Sequence, residues 1–119
     1  MTVFKRKQGD VRDSARVALF GILDITGANP IRGIVRLGSL PAVSLAGGSI
    51  INAVAVLDAR GRVILPCSVS IPLGPVDGWL VNASPGEWAF EQELTFSDGT
   101  VLTWPSDGYD TIEVTEDLA

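Results

Sequence analysis

The chain has 119 residues, a length that suits one domain and is enough to bury a hydrophobic core without metals or disulfides. Hydrophobic residues make up 46% of it and charged residues 19%, with a formal net charge of −5, which predicts a folded globular protein and excludes a disordered one. Histidine is absent, so the commonest general base and zinc ligand are missing and a catalytic thiol lacks its usual partner. Cys67 is the only cysteine, so no intrachain disulfide is possible.

The N-terminal segment, residues 1–13, is polar and basic, and we predict that it is an extended arm before a β-sandwich domain at residues 14–119. The aromatic residue of the arm is expected to anchor it on its own domain or on a neighbour. Candidate contact residues in the arm are Phe4, Lys5, Arg6 and Lys7. Three adjacent basic residues without interleaved aromatics, on an acidic protein, do not indicate nucleic-acid binding. Since no apolar run follows the charged start, we expect neither a signal peptide nor a membrane segment, and a soluble product of the cytoplasm.

Alternating apolar and polar residues predict the first two strands. Val17 and Leu19 share one side of the first, and Ile31–Leu37 alternates in the same way after a turn at residues 24–30. Residues 38–48 are rich in Gly, Pro, Ser and Ala, and we expect a loop or a short irregular strand there.

An apolar run at residues 50–57 predicts a buried strand, because it is short, rich in Ile and Val, and bounded by turn residues. Residues 62–71 are predicted to be its hairpin partner, with Pro66 at a sheet edge or bulge. The tip of this hairpin carries Arg60 and Arg62, which either contact an acidic partner or only solubilise the turn.

The clearest predicted element is the hairpin at residues 87–103, in which aromatic and aliphatic residues alternate with acidic ones. Gln92 is the one polar exception on its apolar face. A two-residue loop would pair Phe96 with Val101, whereas a three-residue loop with Gly99 left-handed pairs Phe96 with Thr100. The three-residue loop is preferred because it places the apolar residues of the two strands together.

Short strands are also predicted at residues 76–82 and 111–114, the second after a turn at residues 105–109. The total is seven or eight short strands, about ten residues apart. This spacing predicts an all-β protein, an immunoglobulin-like antiparallel β-sandwich with an extended N-terminal arm.

Charge is divided unevenly between the two ends of the chain. The first 16 residues contain five basic and two acidic residues, no basic residue follows Arg62, and nine acidic residues occur from Glu87 onward. A solvated surface with some charges paired between strands is the simpler interpretation. The alternative hypothesis is docking between copies or onto a partner, with the charges fixing the register.

Two acidic pairs near the C-terminus are candidate protein-contact residues, and chemical roles for them have plainer interpretations: Glu91 with Glu93, and Asp107 with Asp110. Asp107 and Asp110 flank a loop that is a conceivable cation site, although their spacing favours turn formation. Glu91 and Glu93 could form an acid–base pair, but residues two apart on a strand are typical of a solvated sheet face. No catalytic residue, metal or cofactor is therefore predicted.

Three tryptophans suggest a carbohydrate-binding platform as an alternative function, although core tryptophans are routine in sandwiches: Trp79, Trp88 and Trp104.

The C-terminal motifs resemble a known viral domain. They are Pro85-Gly86-Glu87-Trp88, the hairpin Leu94-Thr95-Phe96-Ser97-Asp98-Gly99, and Trp104-Pro105-Ser106-Asp107-Gly108-Tyr109 with the strand that follows. The chain is similar here, and at Gly9-Asp10 and Asp24-Ile25-Thr26-Gly27-Ala28, to the N-terminal domain of the baseplate upper protein of tailed bacteriophages. The resemblance implies an immunoglobulin-like adaptor domain in a virion.

The function expected from this resemblance is that of a non-enzymatic virion structural protein, an adaptor of the tail baseplate or a head decoration protein. Its expected partners are other phage structural proteins, either tail and baseplate proteins or the major capsid protein. Further copies of the chain are also expected partners, with a trimer as one arrangement.

Overall fold

A computed structural model describes residues 2–10, 13–74 and 78–116 of the chain. Within these ranges there are eleven strands and one short helix. The strands are β1 Val3–Lys7, β2 Ser14–Ala18, β3 Ile31–Leu37, β4 Val43–Leu45, β5 Ser49–Asn52, β6 Val56–Leu57, β7 Val63–Leu65, β8 Ser68–Pro72, β9 Gly86–Thr95, β10 Val101–Trp104 and β11 Asp110–Thr115. The helix is α1 Trp79–Asn82.

The strands form two facing sheets and a separate hairpin. The larger sheet has the order β1-β11-β9-β3-β4, and β10 also pairs with β9. The smaller sheet has the order β2-β8-β5, and β6 pairs with β7 alone. All pairings are antiparallel except that of β1 with β11. Two sheets that are almost entirely antiparallel, packed face to face, confirm the predicted class of an all-β, sandwich-like fold.

The core lies between the two sheets and is made by the inward residues of their strands. In β3, the buried residues alternate with exposed or half-buried ones, as the sequence predicted. Gly33 marks the closest approach, because a Cβ there would lie 2.8 Å from Cγ2 of Ile71 and 2.9 Å from Cε1 of Phe90. Glycine at this position therefore lets the smaller sheet pack directly on the larger one.

The C-terminal hairpin has the predicted register. Leu94 lies opposite Leu102, and Gln92 lies opposite Trp104. Gly99 has a φ of 86°, and the N–H of Phe96 donates to the carbonyl of Thr100 over 2.9 Å. These observations confirm the three-residue loop, which places the apolar residues of the two strands on the buried side.

The strand count exceeds the predicted seven or eight for local reasons. The predicted arm contains a strand, since β1 pairs with β11, so the larger sheet begins before the predicted boundary at residue 14. Residues 38–48 contain β4, the short strand that was one of two expectations for them. The runs at residues 50–57 and 62–71 each divide into two strands.

The strand predicted at residues 76–82 is wrong over its described part. Residues Trp79–Asn82 form a single helical turn, and residues 76 and 77 lie outside the described residues. Leu80 is fully buried, and its N–H donates to the carbonyl of Leu73. A one-turn element anchored by one leucine leaves no alternation for sequence inspection to detect.

The predicted pairing of residues 50–57 with residues 62–71 is confirmed, but the prediction that the strand at residues 50–57 is buried is wrong. Its first half, β5, pairs with β8, but the chain then leaves the smaller sheet and β6 pairs only with β7. Ile51, Val54, Val56 and Leu57 are between 40% and 51% exposed. The run is apolar although no second sheet covers it in the described structure, so its side chains remain exposed.

Candidate functional site

The structure places the predicted contact residues of the arm mainly against their own domain. The ring of Phe4 packs edge-on against that of Phe90, with centroids 5.8 Å apart. Nε of Arg6 lies 2.6 Å from the Asp13 carboxylate, and Arg6 also donates to the carbonyl of Ser14 over 3.1 Å. Phe4 thus packs on the larger sheet and Arg6 joins β1 to the start of β2, so both residues are engaged within the chain.

Lys5 and Lys7 are exposed on the outer side of the same strand. Lys5 is the register partner of Glu113 on β11. The basic start and the acidic end of the chain therefore lie on neighbouring strands of one sheet, although no ion pair joins Lys5 to Glu113 among the described residues.

The predicted acidic pair on β9 lies on the outer face of the larger sheet. Glu93 accepts two hydrogen bonds from Arg32, from Nε over 3.0 Å and from Nη2 over 2.8 Å. Glu91 is half-buried and has Ile34 as its register partner. The arrangement corresponds to a solvated sheet face with a cross-strand ion pair.

The two aspartates of the last turn have different positions. Asp110 is only 4% exposed, and its Oδ1 accepts a hydrogen bond of 2.9 Å from the backbone N–H of Thr2. Asp107 is exposed in the preceding bend. Among residues 2–10, 13–74 and 78–116, no three Cys, Asp or Glu side chains lie close enough together to hold a metal ion.

The tip of the β6–β7 hairpin is held by Asp58. Its Oδ1 accepts hydrogen bonds from the backbone N–H groups of Arg60 and Arg62, and its Oδ2 lies 3.0 Å from Nε of Arg62. The hydrogen bond from the backbone of Arg62, chiefly, holds the pKa of Asp58 below its ordinary value of 3.8. Arg60 pairs with no acidic side chain in the described part of the chain and is exposed at the tip.

The β6–β7 hairpin is the most unusual surface of the molecule, because every residue of its two strands is apolar and exposed. Ile64 is 66% exposed and Leu65 is 50% exposed. We call the exposed apolar side chains of this segment the hairpin patch: Ile51, Val54, Val56, Leu57, Val63, Ile64 and Leu65. Successive residues of a strand point to opposite faces, so apolar side chains are exposed on both faces of the hairpin. Clustered exposed apolar side chains mark an interaction site.

The base of the hairpin is fixed by the loop that follows β2. The N–H of Ala55 donates to the carbonyl of Leu23, and Asp24 forms an isolated bridge with Val54. Leu23 and Phe20 of this loop are 53% and 64% exposed, which extends the apolar surface. Leu65 also borders a groove of about 480 Å³ beside the smaller sheet, whose lining includes Arg16, Val17, Ile51 and Pro66.

A second cavity, of about 520 Å³, contains two of the three tryptophans. Trp79 and Trp88 pack edge to face with centroids 5.0 Å apart, and Ser44 and Asn82 add polar groups to the lining. The buried indole N–H of Trp79 finds no acceptor among the described residues, whereas that of Trp88 donates to the carbonyl of Ser84. Trp104 is half-buried on β10, opposite Gln92.

The predicted candidate residues thus do not form one site. The sequence predicted the hairpin and its charged tip, but it did not predict that both apolar strands are exposed. The available signal was the absence of alternation in both strands, at residues 56–57 and 63–65, beside a polar turn. That pattern is shared by strands buried on both faces and by strands exposed on both faces.

Comparison with known proteins finds no matching family model, no matching curated protein and no matching solved structure. No helix in the described ranges is long and apolar enough to cross a membrane.

Proposed function

We propose that this chain is a non-enzymatic structural protein of a bacteriophage particle that acts through protein–protein contacts. It serves as an adaptor or assembly module of the tail baseplate or as a decoration protein of the head. The observation that supports a contact role is the hairpin patch, in which both strands expose apolar side chains over their whole length. The phage assignment depends on the resemblance of the C-terminal motifs.

The hairpin patch supports a contact role because an isolated two-stranded hairpin is only marginally stable in water. Its apolar side chains gain free energy when they leave water, at about 25 cal/mol per Å² of buried area. An unpaired apolar strand also invites pairing with another chain, and proteins usually blunt such edges with charge or proline. Here the charges are confined to the tip, at Asp58, Arg60 and Arg62.

The proposal is tested by quantitative mass spectrometry of purified particles of the phage that encodes the chain. A fixed number of copies per particle, close to that of a known structural protein, is the expected result. Absence of the chain from purified particles overturns the proposal. Immunogold labelling of the same particles then distinguishes a tail position from a head position.

A pair of variants tests whether the hairpin patch attaches the protein to the particle. Ile64→Lys places a charge in the hairpin patch at a position that is 66% exposed, whereas Val101→Lys places one at an apolar position on β10 that is 55% exposed. We expect loss of Ile64→Lys protein from particles and retention of Val101→Lys protein. Equal retention of the two contradicts attachment through the hairpin.

The cavity beside Trp79 supports carbohydrate binding as a second candidate function. An unpaired indole N–H next to a tryptophan pair, with a serine and an asparagine nearby, offers stacking and hydrogen bonding to a sugar. Tryptophan fluorescence is measured during titration with a panel of glycans, on the native protein and on Trp79→Ala. No shift with any glycan excludes this candidate.

A further inference from the structure

We infer that the partner of the hairpin patch is a second copy of this chain. The two hairpins pack antiparallel about a two-fold axis, so that the tip of each reaches the base of the other. The inference rests on the part of the proposed function that makes the hairpin a protein-contact element. It adds the identity of the partner and the geometry of the contact.

The first argument is that the hairpin is incomplete alone. Within the described residues β7 pairs with β6 and with no other strand, and neither strand has a buried residue. A second hairpin of the same kind supplies what the first lacks, an apolar surface of matching length. In a two-fold contact the same patch is used on both sides, so a continuous apolar hairpin is self-complementary without any further feature.

The second argument is charge complementarity along the hairpin. Arg60 projects at the tip without an acidic partner among the described side chains, because Asp58 is engaged by Arg62. Asp24 lies at the base beside Val54, is exposed, and is hydrogen-bonded by the side chain and the backbone N–H of Thr26 in its own turn, with no basic partner among the described side chains. Antiparallel packing places a basic tip against an acidic base twice in the dimer. Parallel packing would place two arginines together and two aspartates together, which is unfavourable.

The third argument is the continuity of the apolar surface beyond the strands. Phe20 and Leu23 lie in the loop that is bonded to the hairpin base, and both are more than half exposed. The tip of a second hairpin would cover this loop. Antiparallel packing requires apolar surface at the base of the hairpin, and Phe20 and Leu23 supply it.

The test is sedimentation velocity of the purified full chain over a range of protein concentrations. A concentration-dependent dimer is the expected result for the native protein. Ile64→Lys is expected to weaken dimerisation by about tenfold or more, because a lysine in the centre of a contact must be desolvated. Val101→Lys, the control of equal charge at an exposed position of the larger sheet, is expected to leave it unchanged.

A charge-swap experiment then tests the antiparallel geometry. Arg60→Glu alone places two acidic residues together at each end of the dimer, and Asp24→Arg alone places two basic residues together. Each variant is expected to self-associate less than the native protein. An equimolar mixture of the two restores opposite charges at both ends and is expected to dimerise as well as the native chain. Circular dichroism of each variant checks that the fold is intact.

The outcomes are decisive in both directions. A native protein that stays monomeric at all concentrations, an Ile64→Lys variant that dimerises normally, or a mixture that fails to restore association overturns the inference. A chain that occurs in particles but is monomeric in solution overturns the inference alone. A chain that dimerises as described but is absent from particles overturns the proposed function alone.

Discussion

Gln92 is the one polar side chain on the inner face of β9, and it is fully buried. Neither its amide nitrogen nor its amide oxygen has a hydrogen-bonding partner among the described residues. It lies between Gly33 of β3 and Trp104 of β10 in the sheet register. The sequence pattern identified Gln92 as an exception, but only the fold shows that its amide is buried without a hydrogen-bonding partner among the described residues.

We predict that Gln92→Met leaves stability unchanged or raises the free energy of unfolding by about 1–2 kcal/mol, because an unbranched apolar side chain of similar size avoids burying an unpaired amide. Gln92→Ala is the control, and it should lower the free energy of unfolding by about 2 kcal/mol or more through the cavity it leaves. Urea unfolding followed by tryptophan fluorescence measures both. A clear loss of stability in Gln92→Met would mean that the amide is hydrogen-bonded.

At the scale of elements, the pairing of both hairpins was predictable, but the exposure of the β6–β7 hairpin was not. In β9 and β10 strict alternation fixes the buried side of each strand, and Gly99 supplies the positive φ that a three-residue loop requires. In β6 and β7 there is no alternation, so the sequence cannot distinguish two covered faces from two exposed ones. That distinction depends on where other strands run, which is a property of the tertiary fold.

Each of the two hairpin turns contains an aspartate whose pKa is lowered by hydrogen bonds, so the stability of each turn depends on pH in the acidic range. The side-chain hydroxyl of Thr100, chiefly, and its backbone N–H donate to Asp98 and hold the pKa of this carboxyl below 3.8. A group whose pKa is lower in the folded state than in the unfolded state stabilises the fold at a pH above its unfolded-state pKa. That contribution is lost as the pH falls below 3.8 and through the folded pKa.

We predict that Thr100→Val raises the pKa of Asp98, because it removes the donor that lies 2.7 Å from Oδ1 and leaves the backbone donor in place. An NMR titration of the side-chain carboxyl signals between pH 2 and 6 measures the change. Asp24, whose turn is closed by Thr26, serves as the internal control and should titrate as before. An unchanged Asp98 titration in Thr100→Val would contradict the assigned hydrogen bond.

At the scale of the whole molecule, the basic start and the acidic end of the chain meet in one sheet. The parallel pairing of β1 with β11 brings Lys5 beside Glu113, and the backbone N–H of Thr2 donates to the buried carboxylate of Asp110. Sequence reasoning detected the charge difference and proposed docking between copies or onto a partner. In the fold the two ends lie side by side in one sheet. The sequence could not show this, because a parallel pairing of distant strands cannot be deduced from local pattern.

The attachment of β1 depends on Phe4 more than on its charges. We predict that Phe4→Ala lowers the free energy of unfolding by about 2 kcal/mol, because the half-buried ring leaves its edge-on contact with Phe90. Val3→Ala on the same strand changes a side chain that is 51% exposed, and its effect should stay within about 0.5 kcal/mol. Urea unfolding at low and high salt measures both variants. Since surface ion pairs contribute little and are screened by salt, the difference between the variants should persist at high salt. A difference that disappears with salt would mean that charge, not the phenylalanine, holds the strand.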